Sequence, residues 1–483
     1  MPTNLALVTP EGMIRSPADG ATDVSPDTPL RMTFAGPPRL GDRGTIRVHS
    51  SDGRLADSID LADPASFRRT VGDAESDTGA LHWFHYLPVT VDGCTVTAHL
   101  HRQLDYGESY DVTVDPDVVP GHRHPPWRFT TRPAPPTVDT GTDADAGAGA
   151  TAAVLTVAAD GSGDFITVQG AVDAVPRGND RPVLIDVRPG VYTEIVYVRP
   201  DKPYITVRGA DRERTVIAYA NNDLRNGQPS DSRCPRRYLD VPDRYNCWRA
   251  TFGVEAPDFT LENITVHNTT PAGGSQAEAF RGNNDRILLN RVTLRSYQDT
   301  LRLQGSGCVT HSLIEGDVDV VWGVGTVVVH ETEIRSLRPG YVTQARNGTN
   351  RRGNVFVKCR LTRAPDVPDG SCYLARTDLT AYPASQAVFL DTAMDTHIHP
   401  LGWKVTRRGV PGGPSDLGAW TRELRFWEHH STDLDGAPLD LDERAPCSRL
   451  LGDSDAARWR DPAFVLGGWA PAALDGTNDS RLP

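Results

Sequence analysis

The sequence predicts an all-β protein in which a coil of stacked parallel strands follows a β-sandwich. Three observations carry the prediction. Apolar units recur along the second half at Leu261 to Val266, Leu289 to Leu294, Val309 to Ile314, Val329 to Ile334, Val357 to Leu361 and Phe389 to Met394. Their last residues lie 28, 20, 20, 27 and 33 apart. Strand-sized units at solenoid periods, without hairpin turns between them, belong to coils that bury one another's inner face, whereas a large sandwich would need those turns. Residues 16 to 132 instead show short alternating strands. Between the two, PAPPTVDTGTDADAGAGAT (133 to 151) has Val138 as its one large apolar side chain, a composition that cannot bury a core and reads as a flexible linker. The expected boundaries are a sandwich at 1–132, a linker at 133–151 and a coil with a C-terminal tail at 152–483.

Taken in order, the front module opens with the turn chemistry of Ser16-Pro17-Ala18-Asp19-Gly20. Alternation follows in Leu30, Met32 and Phe34, in Ile46 and Val48, in Val96, Ala98 and Leu100, in Tyr110, Val112 and Val114, and in Trp127 and Phe129. A half-buried antiparallel sheet requires that pattern. The opening SPADGATDVSPDTPLRMTF and the close WRFTT resemble bacterial Ig-like modules. His82, His85, His99, His101, His122 and His124 invite a metal reading. They stand at strand spacing without a carboxylate or cysteine partner in register, so solvated or sheet-face histidines are expected.

From Val154 the pattern changes. Gly161-Ser162-Gly163-Asp164-Phe165 is glycine-rich but lacks the Lys-Ser/Thr of a phosphate loop, and a short helix is predicted over Val168 to Val175. The insertion-like loop CPRRYLDVPDRYNC is flanked by Cys234 and Cys247, which can close it as a disulfide or stand free. Cys359 falls where a coil points inward and is expected to be a buried, inert thiol. After Trp403 the periodicity fades, and the tail with Phe426, Trp427, Glu428 and Trp469 is expected to pack back along the coil.

Composition narrows the function. The balance of 50 basic against 63 acidic residues gives a net charge of −13, which disfavours generic binding to nucleic acid or anionic membrane. No run approaches the roughly 18 apolar residues of a membrane span; the most apolar, Val318 to Val329, contains Asp319. The N-terminus shows no basic region or long apolar stretch, so no signal peptide is visible.

The chemistry concentrates in Tyr297 to Gly325, where Asp299 and Asp319 stand 20 residues apart. If 20 residues make one circuit, the two lie on neighbouring strands about 4.8 Å apart. Carboxylates so placed cannot both be comfortably ionised, so one serves as anion while its neighbour holds a proton. Gln276 precedes Gln298 by 22 residues and Gln298 precedes Asp319 by 21, which puts all four groups on one strip of three coils.

Gln298-Asp299-Thr300-Leu301 and Gly316-Asp317-Val318-Asp319-Val320-Val321-Trp322-Gly323 resemble the two central motifs of the pectin methylesterases, enzymes built on a right-handed parallel β-helix. DGSGDFITVQGAVDAVP (160 to 176) is similar to that family's N-terminal cap, and IDVRPGVYTEIVYV (185 to 198) to its next signature. The resemblance implies ester hydrolysis of pectin with Asp319 as nucleophile and Asp299 as acid and then base. It further implies Gln276 and Gln298 as oxyanion donors and Arg376, in Tyr373-Leu374-Ala375-Arg376, as the partner of Asp319. Substrate contacts are expected at Trp403, as a sugar platform or else a core residue, and at Arg302, which stands where the family has tyrosine. Val320 replaces the family's usual phenylalanine, and Thr377-Asp378 replaces Pro-Trp, so one aromatic platform is absent. No cofactor and no metal are implied. The expected partner is methyl-esterified homogalacturonan, the expected state a monomer, and the expected location extracellular or on the cell surface. The rivals are a β-helix esterase or thioesterase on another acyl group, a polyuronide-binding protein without activity, and a pectate lyase; the last would need a calcium-binding carboxylate cluster.

Overall fold

The computed structural model describes residues 13–70, 83–136, 153–226, 249–407 and 422–474. Cys234, Cys247, His82 and residues 137–151 of the expected linker lie outside the described residues. The chain divides into two compact units: Met1–Ala146 with Ala153–Val175, and Gly147–Ala152 with Pro176–Pro483.

The first unit contains two sheets. One orders Ile14–Ser16, Leu30–Thr33, Thr95–Ala98 and Val89–Asp92. The other orders Ala21–Val24, Trp127–Thr131, Ser109–Val114, Thr45–Ser50 and Leu55–Asp60. The alternating residues meet between the sheets: Leu30, Met32, Val96 and Ala98 from one face join Ile46, Val48, Tyr110, Val112, Trp127 and Phe129 from the other in one buried cluster. The helix predicted over Val168 to Val175 forms at Val168–Ala174, with Thr167 as its N-cap accepting from Gly170 N. Its entry is held by a residue 140 positions earlier in the chain. Asp27 Oδ2 accepts from Ile166 N at 3.0 Å, Thr167 N at 2.7 Å and Thr167 Oγ1 at 2.8 Å, satisfying donors that a helix start leaves open. One expectation about the histidines fails. His101 does have a carboxylate partner, Asp57, with Nδ1 and Oδ1 2.6 Å apart, because the strand Leu55–Asp60 went unrecognised in the sequence.

The second unit winds through three parallel sheets. The first runs from Val183–Val187 to Ser448–Leu450, the second from Gly190–Tyr192 to Ala393–Met394, and the third from Val196–Val198 to Trp403–Thr406. The predicted coil is present, and its period is visible in the register. Val266, Leu294, Ile314, Ile334, Leu361 and Met394 are successive partners in the second sheet, all buried and facing the lumen. Each recurring unit differs from expectation in one respect, since it is two strands around a corner and not one strand. The corner residues Asn263, Arg291, His311, Glu331, Lys358, Asp391 and His430 have φ between 44° and 54°, and this left-handed step turns the chain from the first sheet into the second. The tail also departs from expectation. Arg425–His429 pairs in parallel with Gln386–Leu390, Val388 opposite Trp427, so it is another rung whose 39-residue spacing hides it. Cys359 is buried, donates to Val329 O at 3.2 Å and has its thiol pushed up to about 12 by burial, which keeps it protonated and inert.

Candidate active site

The bend from the second sheet into the third carries Gln276, Gln298, Asp299 and Asp319. Leu301 is the register partner of Val321, so Asp299 and Asp319, each two residues earlier, occupy the same place on adjacent rungs. Asp299 N donates to Val318 O at 2.9 Å, which fixes the two bends side by side. Both aspartates have positive φ, 68° and 54°, a conformation that aspartate tolerates better than most residues. Both are nearly closed off from solvent, at 3 % and 1 % exposure.

Their surroundings separate them chemically. Arg376 meets Asp319 as a two-pronged pair, Nε to Oδ1 at 2.7 Å and a second bond from Nη2 to Oδ2. Burial works against the Arg376 charge, but the bond to Asp319 outweighs it and raises its pKa overall. This two-pronged, charge-assisted geometry fixes the orientation of the Asp319 carboxylate. Asp299 differs. Burial pushes its carboxyl up, Arg249 pulls it down, and the neighbouring charge of Asp319 pushes it up again, leaving it at about 7. One carboxylate with an ionising partner beside one poised near neutrality is the division that acid–base chemistry requires.

Arg249 is the residue that sequence reasoning missed. It is buried and spans three acids: Nη2 to Asp299 Oδ2 at 2.7 Å, Nε to Glu278 Oε1 at 3.0 Å and Nη1 to Asp223 Oδ1 at 3.0 Å. It lies 50 positions before Asp299, just after the insertion-like loop, and no periodicity announces it. The glutamines are half-exposed on the same bend as the aspartates. Ser275 Oγ donates to Gln276 Oε1 at 3.0 Å, which fixes that amide, and neither glutamine's Nε2 donates to any described residue. Two amide donors thus remain open on the strip that the carboxylates define.

The outward row of the third sheet is in register from Arg281 through Arg302, Trp322 and Gln344, and on to Arg376 and Lys404. Here one expectation is decided between its two alternatives and another is corrected. Trp403 is fully buried, because strand alternation turns it inward from Lys404; its ring stacks on Phe426 at 4.7 Å and packs on Phe389 at 5.9 Å. It is a core residue and offers no face to a sugar. Arg302 is also buried, with its guanidinium 4.7 Å from the Trp322 ring centroid, and burial lowers its pKa well below the usual range. It packs against Trp322, its neighbour on the outward row. The half-exposed aromatics near the nucleophile are others. Tyr341 lies under the Arg376 guanidinium at 4.9 Å, Tyr373 stacks on Tyr341 at 6.0 Å, and His399 stacks on Tyr373 at 4.6 Å. Among the described residues one group could hold a metal ion, His429, His430 and Asp453; it belongs to the far end of a first-sheet strand and not to this bend.

Residues 154–410 match the family model described as Pectinesterase. Pectinesterase 31 of Arabidopsis thaliana is 32% identical over 318 residues, covering 65% of this chain and 93% of the relative. Pectinesterase 2 of Olea europaea is 29% identical over 338 residues, 65% of this chain and 82% of the relative. Among solved structures, the pectin methylesterase from carrot is similar with a TM-score of 0.56 at 25% identity, covering 68% of this chain and 98% of that one. Pectin methylesterase PemA from Erwinia chrysanthemi gives 0.51 at 25% identity, covering 67% and 99%. The match over the β-helix, with the aspartate motifs inside it, means that the chain belongs to the pectinesterase family.

Proposed function

We propose that the protein removes methyl esters from homogalacturonan, releasing methanol and leaving free carboxylates. The observation that carries the reading is the pair of buried aspartates on adjacent rungs, one bound two-pronged to Arg376 and the other held near neutrality. In this reading Asp319 attacks the ester carbonyl. The Gln276 and Gln298 amides receive the oxyanion, and protonated Asp299 delivers its proton to departing methanol. Asp299, now a base, takes a proton from water, which attacks the acyl-enzyme and frees Asp319. The residues present supply nucleophile, acid and oxyanion donors, so the scheme uses no cofactor. Tyr341, Tyr373 and His399 give flat faces to sugar rings beside the reacting ester.

The front module, an Ig-like sandwich in this reading, serves as spacer or surface attachment for an extracellular, monomeric enzyme. The deciding experiment is a methanol assay on highly esterified pectin with wild type beside Asp319→Asn. Wild type releases methanol, and the variant, still folded and still binding polymer, loses at least about 10⁴-fold in turnover. Retained turnover in the variant excludes Asp319 as nucleophile. Hydrolysis of small thioesters without action on pectin would replace the substrate.

A further inference from the structure

A second concave site lies away from the catalytic bend, at the edge where the chain leaves the third sheet for the first. It is a cavity of about 960 Å³ whose lining includes Arg286, Arg351, Arg352 and Arg425, the indoles of Trp459 and Trp469, and one carboxylate, Asp285. Its cations are of two kinds. Arg286 is neutralised by Asp258, through bonds of 2.5 and 2.6 Å. Arg351, Arg352 and Arg425 have no carboxylate within ion-pair reach among the described residues. Arg425 Nη2 instead donates to the carbonyls of Arg351, Gly348 and Ala384 at 3.1, 3.3 and 3.3 Å. Arg352 Nη1 donates to the carbonyls of Phe464 and Val465 and its guanidinium lies 4.0 Å from the Phe464 ring centroid.

Carbonyls and rings orient a guanidinium without cancelling its charge, so even with Asp285 set against them Arg351, Arg352 and Arg425 leave the cavity an excess of positive charge in a chain whose net charge is −13. Burial with no acid nearby pushes the Arg425 pKa down, a strain that an arriving anion would relieve. Planar forks that match carboxylates in two-point fashion, in the same lining as two half-buried indoles, a side chain that stacks on apolar sugar faces, select a ligand that is both anionic and saccharide.

We propose that this cavity binds a de-esterified uronate segment, the product of the reaction, apart from the catalytic bend. The choice of uronate rests on the pectin reading above; the preference for an anionic sugar rests on the cavity alone. Product already made would thereby anchor the enzyme on the polymer while ester groups further along pass through the catalytic bend.

The test is equilibrium binding of de-esterified oligogalacturonate and of its fully methyl-esterified counterpart to the full chain, measured with Asp319→Asn added to each protein so that the ester persists, while methanol release is read with Asp319 intact. Wild type, Arg351→Glu, Arg351→Lys and Trp469→Ala are compared, with melting temperature as the control for folding. Wild type is expected to bind the de-esterified oligomer more tightly than the ester. Arg351→Glu and Trp469→Ala each weaken it at least tenfold, Arg351→Lys, which keeps the charge but loses the fork, falls between wild type and Arg351→Glu, and methanol release from short esterified oligomers is unchanged in all three. Unchanged oligomer binding in the folded Arg351→Glu and Trp469→Ala proteins overturns the proposal, as does the absence of binding to wild type. Equal competition by inorganic sulfate overturns it too, because the cavity would then be a site for simple anions. Absence of methanol release with oligomer binding intact would defeat the pectin reading while leaving the anionic-sugar site standing.

Discussion

Arg249 offers the sharpest test of how the site is tuned. Replacing it with methionine removes a positive charge 2.7 Å from the Asp299 carboxylate. Two unit charges about 4 Å apart interact by about 4 kcal/mol at an effective dielectric of about 20, a ceiling near three pKa units. Arginine beside a carboxylate typically lowers its pKa by about 1–3 units. The same substitution strips Glu278 and Asp223 of their cation, and their charges push Asp299 in the same upward direction. Starting from about 7, Asp299 is therefore expected to titrate about 1–3 units higher. Because its protonated form serves the leaving methanol, the alkaline limb of kcat/KM moves up by that amount. Near neutrality kcat falls, since the base form needed for deacylation becomes scarce. The assay is methanol release across about pH 5 to 10, with Arg249→Lys as the variant that keeps the charge and most of the profile. A folded Arg249→Met protein with an unshifted or acid-shifted profile would refute the reasoning.

Other outcomes follow from the same geometry. Asp299→Asn abolishes turnover and stabilises the fold in a pH-dependent way. The folded pKa near 7 lies above the unfolded value of about 3.9, so wild-type stability declines as pH rises through that window. The melting temperature of the variant should therefore pull ahead of wild type between about pH 4 and 8, and a gap that ignores pH would contradict the raised pKa. Gln298→Ala is expected to lower kcat by about 10²–10³ with KM nearly unchanged; a change confined to KM would make it a binding residue. Asp27→Ala leaves Ile166 N and Thr167 N without their acceptor and should destabilise the first unit by about 1–3 kcal/mol, read by chemical denaturation. No measurable loss would mean that water replaces the carboxylate.

The parts of the molecule legible in the sequence were those that repeat. Val266, Leu294, Ile314, Ile334, Leu361 and Met394 are spaced unevenly yet stack as partners, because each lumen position demands an apolar residue whatever the length of the excursion between rungs. Asp299 and Asp319 were paired by the same logic, 20 residues making one turn where no insertion intervenes. Orientation was harder. Whether Trp403 faces the lumen depends on strand parity, and parity is lost across loops whose length changes from rung to rung. The bend conformations at Asn263 and its equivalents look like ordinary polar interruptions in an apolar run. Arg249 illustrates the hardest case, since a buried cation serving three acids from different coils has no neighbour in sequence to betray it.

The corner residues also matter for engineering. Three of the seven, Arg291, Glu331 and Lys358, are held in a conformation that disfavours most L side chains by about 1–2 kcal/mol each, whereas aspartate, histidine and asparagine occupy the others. Asparagine accepts that conformation at less strain. Arg291 is the corner at which a hardier catalyst could be made most simply, since Glu331 is tied to His311 and Lys358 by ion pairs that a substitution would break; the whole edge lies between the first and second sheets and takes no part in handling the ester.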